Sequence, residues 1–157
     1  MSIEDFKGLM DNFEPASLLP EIDPIISKFA PAARILVLVG PVVLIVMGLL
    51  YFFAMPKEAN YHLGYRCYYG MGSVEAWRFT QRLAGMVFGA LGLVLLVAML
   101  VISNSFAKLE TMDLLWRTVY CVASEAAAAA LASLAVTGVV TVRFDARGDL
   151  RKKKVKK

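Results

Sequence analysis

ILVLVGPVVLIVMGLLYFFAM, residues 35–55, carries no charged side chain over a length that spans a bilayer's hydrocarbon core as a helix, about 20 residues. Lipid offers no partner to an exposed backbone amide, so such a run crosses as a helix, which satisfies its own backbone. Strand spans would be shorter and would alternate, and this run does neither. It also begins too late and runs too long for a cleaved signal peptide. Working outward, LAGMVFGALGLVLLVAMLVIS at 83–103 repeats the pattern. A third run, VYCVASEAAAAALASLAVTGVVTV at 119–142, is Ala-rich and holds Glu125, but it contains no proline and does not alternate. The expectation is an all-α membrane protein with three transmembrane helices in one domain, residues 34–142. An acidic tail (1–33) and a basic tail (143–157) flank it.

Composition agrees. The chain is 59% hydrophobic, against about 45–50% for a soluble domain. Its net charge of +4 is unevenly spread. Residues 1–33 hold Glu4, Asp5, Asp11, Glu14, Glu21 and Asp23 against Lys7 and Lys28, whereas residues 143–157 hold eight Lys or Arg against Asp145 and Asp149. Counting Lys and Arg beside the spans gives twelve in the 56–82 loop and the C-terminal tail, and five elsewhere. Cytoplasmic flanks carry the excess of Lys and Arg, so the loop and C-terminus are expected inside and the N-terminus outside.

The flanks have patterns of their own. Ile3, Phe6, Leu9, Met10 and Phe13 recur at helical spacing behind a Ser2 N-cap, with Asp5 in capping-box position. This amphipathic segment reads as a lid on the bundle or as a recognition surface for an extracellular peptide. Asp23-Pro24 starts a second short helix that Pro31 would end. The terminal RKKKVKK is a topology anchor attracted to anionic lipid. No aromatic or nucleic-acid motif accompanies it, so no nucleic-acid partner is expected.

In the third run, Ser124, Ala128 and Ala132 share one face, and Ala126, Ala130 and Leu134 another. Small residues let helices approach closely, so this helix is expected to be central, gripped by the other two or by a second copy in a homo-oligomer. Glu125 would lie about two turns inside the outer end. An ionisable group there faces protein or water, as a titrating group, a ligand contact, or a partner of Arg117 through Tyr120 or Cys121. Gly40 and Pro41 would kink the first span and open space for it.

The stretch between the first two spans is ANYHLGYRCYYGMGSVEAWRFTQRLAG, residues 59–85. Tyr61, Tyr65, Tyr68, Tyr69 and Trp77 suit interfacial anchoring. Its glycines allow tight turns, Ser73 suits an N-cap, and Glu75 would sit at the positive end of that helix. Trp77 and Gln81 fall four apart on one helical face. Together these predict an ordered cytoplasmic loop.

Asn60, Gly64, Tyr65, Arg66, Ser73, Trp77, Thr80 and Gln81, followed by RLAG at 82–85, resemble the signature of the SdpI family of small bacterial membrane proteins. That signature runs N-x3-G-[IY]-R-T, then S-x3-W, then a [TN]-[HQ] pair. Here Cys67 replaces the Thr, and Gln81 stands where His is common. The resemblance covers residues 57–100 and marks Asn60, Gly64, Arg66, Ser73, Trp77 and Gln81 as partner-binding candidates. It implies a multi-pass protein of the bacterial plasma membrane without enzymatic activity. Its best-known member, longer and with additional spans, confers immunity to a secreted peptide toxin and holds a transcriptional repressor at the membrane.

The chain itself offers no phosphate loop, no nucleophile–base pair and one histidine, His62. Cys67 and Cys121 fall in a loop and a span, with no metal-ligand spacing, so neither a disulfide nor a cofactor is expected. Two further readings stand beside immunity or signalling. One is a structural or assembly subunit of a larger membrane complex. The other is a small oligomeric transporter or channel using Glu125, with Ser124 beside it.

Overall fold

A computed structural model describes residues 23–56, 58–59 and 63–151 of the chain, with side chains from residue 29 onward. The amphipathic segment expected over residues 2–13 lies outside the described residues, as do Asn60, Tyr61, His62 and the tail beyond Arg151. Helix α1 covers Asp23–Leu49 and continues as a π-helical turn, Leu50–Ala54. Helix α2 covers Val74–Ser103 and α3 covers Thr111–Arg143. Three stretches are long and apolar enough to cross a membrane, Phe29–Ala54, Val74–Lys108 and Thr111–Arg143. Among the described residues there is no strand, only an isolated antiparallel bridge between Phe144 and Leu150.

The helix boundaries have local causes. Helix α1 does not stop at Pro31 as the sequence suggests; it runs through Pro31 and Pro41. Each proline removes one N–H bond, a loss that neighbouring groups in a membrane bundle can absorb. The end comes at Met55, which is extended (φ −75°, ψ 142°) because Pro56 follows it. Ser73 caps α2 as expected, its Oγ accepting from Ala76 N at 3.1 Å, with Glu75 in the first turn. Helix α2 is therefore one rod from the loop through the whole second span.

Helices α1 and α2 form the tightest pair. A Cβ on Gly48 would strike the Gly89 backbone, one on Gly85 the Gly48 carbonyl and Phe52, and one on Gly92 Ile45 and the Pro41 carbonyl. Backbone-to-backbone approach of this kind is how membrane helices gain packing without a hydrophobic driving force. Helix α3 packs on both, though less closely than they pack on each other. Its buried face is Leu114, Thr118, Cys121, Glu125, Val136 and Val140. Ser124, Ala126, Ala130 and Leu134 face outward, while Ala128 and Ala132 are half-buried. Ser124 Oγ donates to the Cys121 carbonyl of its own helix at 2.7 Å and so needs no neighbour. Glu125 Oε1 has no such local partner, and the residue is turned into the bundle.

The buried residues form three small clusters. Val37, Met99, Phe106, Leu114 and Cys121 pack at the end bearing the α2–α3 turn. Ala84, Phe88 and Val136 follow, and Cys67, Ala76, Val140 and Phe144 pack at the loop end. Elsewhere large apolar side chains point outward, Phe53, Val94 and Leu134 among them, as a lipid-facing flank requires.

Candidate functional site: the loop and its C-terminal clasp

The loop is held by side chains of α2 that reach its backbone. Gln81 Oε1 accepts from Tyr65 N at 2.9 Å, and Gln81 Nε2 donates to Tyr65 O at 2.8 Å. One amide thereby pairs with both backbone groups of a single residue, as a neighbouring strand would. Trp77 is fully buried, and its Nε1 donates to Pro56 O at 2.9 Å, tying the end of α1 to the start of α2. Gly64 lies flat on the Trp77 ring at φ +115°, a conformation L side chains rarely adopt, with no room for a Cβ.

Tyr65 is the hub. Its hydroxyl donates to Ser133 O at 2.8 Å and stands 2.7 Å from Ser133 Oγ and 2.9 Å from Thr137 Oγ1, both on α3. Its ring meets Tyr51 of α1 edge-on at 6.2 Å and Phe88 of α2 at 5.7 Å. Instead of anchoring at the lipid interface, this tyrosine joins all three helices.

The chain then folds back on the loop after α3. Asp145 Oδ1 accepts from Arg147 N and Asp149 N, both at 2.9 Å, and Gly148 completes the turn at φ +79°. The two flanks pair through Asp145 N to Asp149 O at 2.9 Å and Arg151 N to Arg143 O at 3.0 Å. The Asp149 and Arg147 amides, helped by the charges of Arg147 and Arg151, hold the Asp145 carboxyl below the usual aspartate range. Ser73 Oγ donates to Gly148 O at 2.7 Å while capping α2, and the backbones of Gly72 and Gly148 touch without room for a side chain. Phe144 is buried against Cys67, Ala76 and Val140. The Arg143 guanidinium lies 4.4 Å over the Phe79 ring, and that of Arg151 lies 5.7 Å over Tyr69. Cys67 sits under this clasp as a free thiol, and burial pushes its pKa up.

Of the residues singled out in the sequence, Gly64, Ser73, Trp77 and Gln81 come together as the frame of the loop. Arg66 is exposed on its surface, and Asn60 lies outside the described residues. Ser124 faces outward, away from this site, and Glu125 is buried on α3 against Gly40 of α1. A groove of about 380 Å³ runs beside the frame, lined by Tyr51, Phe52, Met55, Pro56, Arg78, Gln81 and Arg82. The frame residues are spent on backbone, while the outer surface carries Arg66, Arg78, Arg82 and the exposed ring of Tyr68. Such a surface suits binding of an anionic or amphipathic group. Sequence reasoning missed Tyr65 as a hub and the clasp at 144–151. The one signal for the latter was Asp145 and Gly148, at turn spacing within a tail that otherwise read as charge.

Among the described residues no three His, Cys, Asp or Glu gather as a metal site. A family model, described as the SdpI/YfhL protein family, matches residues 57–142, from the loop to the last turn of α3. The clasp falls just beyond that match. No curated protein and no solved structure matches the chain.

Proposed function

Because this multi-pass membrane protein belongs to the SdpI/YfhL family, we propose that it works by recognition, its framed loop holding a soluble regulator at the cytoplasmic face of a bacterial plasma membrane. The observation that carries this reading is the frame itself. Gln81, Trp77, Ser73 and Tyr65 fix a loop that lipid anchoring alone would leave unordered, and the clasp adds further arginines beside it. A rigid, basic, aromatic-studded surface loses little entropy on binding a partner. Protection against a toxic peptide at the opposite face is the second role that family membership brings into range, and the N-terminal segment is its natural contact.

A pull-down from membranes in mild detergent, with wild type and Arg66→Ala, tests the reading. A soluble protein recovered with wild type and depleted at least about tenfold with the variant is the expected result, since loss of a charge-assisted contact is worth about 1.5–3 kcal/mol. A stoichiometric set of membrane proteins retained by both would overturn it and make the chain a subunit of a larger complex. Cysteine-accessibility labelling of a residue placed after Arg151 checks the orientation; labelling from outside intact cells would reverse it.

A further inference from the structure

Glu125 stands apart from the loop and its clasp. Helix α3 places it fourteen residues after Thr111 and eighteen before Arg143, about 21 Å and about 27 Å from the two helix ends at 1.5 Å per residue. That helix is longer than a bilayer's hydrocarbon core, about 30 Å, and Glu125 lies six residues inside the apolar run that starts at Val119. The side chain is 6% exposed, and Oε1 has no hydrogen-bond partner. Its other oxygen, Oε2, rests on Gly40 of α1, where a Cβ would collide with it. The carboxyl therefore occupies a seat that exists only because residue 40 is glycine.

Among the described residues, no counter-charge is buried beside it; Arg34 of α1, six residues before Gly40, is exposed. Residues 35–50 of α1 and 83–103 of α2 contain no Asp, Glu, Lys, Arg, His, Tyr or Cys. On α3 itself the buried thiol of Cys121 is one turn away. Tyr120 is exposed, and the exposed Arg117, two turns away, points its Nη1 to Ser105 Oγ at 3.4 Å. Pro41 has no N–H, so the carbonyl of the fully buried Val37 lacks its usual intrahelical donor. A buried carboxyl without a cation or a set of donors sheds its charge by taking up a proton.

We propose that Glu125 is a proton-binding site inside the membrane. As a neutral acid it seats α3 on Gly40 of α1; on losing the proton it puts an unpaired charge there and parts the two helices. The site is separate from the loop and does not depend on the loop's partner.

Infrared spectroscopy of the full chain in phosphatidylcholine–phosphatidylglycerol vesicles tests this directly. At neutral pH the wild type is expected to show the carbonyl stretch of a protonated carboxylic acid, absent from Glu125→Gln. That band should shift in D2O and fade as the pH is raised. Gly40→Ala removes the seat but keeps the carboxyl, so it should move the band rather than delete it; this variant keeps the test open should Glu125→Gln fail to fold. Alkylation of Cys121 by a membrane-permeant maleimide reports the separation of helices. Its rate in wild type relative to Glu125→Gln should be near one at neutral pH and rise severalfold at alkaline pH. Absence of the acid band at neutral pH overturns the proposal, as does a band that neither exchanges nor fades. A Cys121 rate ratio that stays at one overturns the separation of α3 from α1.

Discussion

At the scale of single residues, the loop depends on three that each satisfy two demands at once. Gly64 supplies a left-handed backbone and a flat floor for Trp77. Gln81 pairs with both backbone groups of Tyr65, and Tyr65 carries its hydroxyl to α3. Gly64→Ala meets both the Trp77 ring and an unfavourable φ, and backbone strain of this kind costs about 1–3 kcal/mol. Thermal unfolding in mild detergent should show it as a lowered midpoint, with the helical signal at low temperature unchanged. Gly64, Trp77 and Gln81 were legible in the sequence because their spacing is unusual for a linker. Tyr65 was not, because a tyrosine beside a span carries the same compositional signal whether it faces lipid or turns inward. Only the Ser133 and Thr137 oxygens, 68 and 72 residues on, decide between the two. Ser124 and Glu125 teach a related lesson. Adjacent residues on a helix point about 100° apart; on α3 Glu125 is turned in, and Ser124, which satisfies itself on its own helix, faces outward.

At the scale of elements, two contacts fix the arrangement. The first is the glycine seam between α1 and α2. Gly85→Val would place a branched side chain on the Gly48 carbonyl and Phe52. Overpacking costs about 1–3 kcal/mol, and here it would spread the pair. A cysteine pair introduced across the α1–α2 seam should then lose cross-linking, while the secondary structure remains. The second is the turn at Asp145. A carboxyl held below its usual range binds fewer protons in the folded chain than in the unfolded one. Its contribution to stability is therefore complete above the ordinary aspartate range and disappears as the pH falls through that range toward its lowered native value. On acidification the amide resonances of Arg147 and Asp149 should move together, and Asp145→Ala should show the released positions already at neutral pH. The same variant should be nicked by trypsin after Arg147 severalfold faster than wild type. The three spans were legible from length and hydropathy, although α1 and α2 begin well before their apolar runs. The clasp was not, since its buried anchor is the one Phe144 and its arginines, which lie over Phe79 and Tyr69, read in the sequence as plain tail charge.

At the scale of the whole molecule, the bundle is a thin one. Most of each span faces outward, and its few buried residues form three small clusters rather than one core. Hydropathy predicts such a flank, but it cannot separate lipid contact from contact with another copy. Tethering at the loop end predicts that the two ends of the bundle differ in rigidity. Hydrogen exchange in lipid nanodiscs should show residues 64–81 better protected than the α2–α3 turn at 104–110, whose backbone hydrogen bonds are made to carbonyls three residues back.

The clasp also sets an order of events during synthesis. Ser73 waits for Gly148, which leaves the ribosome seventy-five residues later, and at about 5–20 residues per second that interval lasts several seconds. All three spans can be in the bilayer before Phe144 reaches its place beside Ala76. A released chain cut short at residue 143 would hold its spans and yet lack the Ser73–Gly148 contact and the buried Phe144. The loop's final shape thus certifies that translation has passed the third span, and any partner that reads this shape will engage only chains that have reached that point.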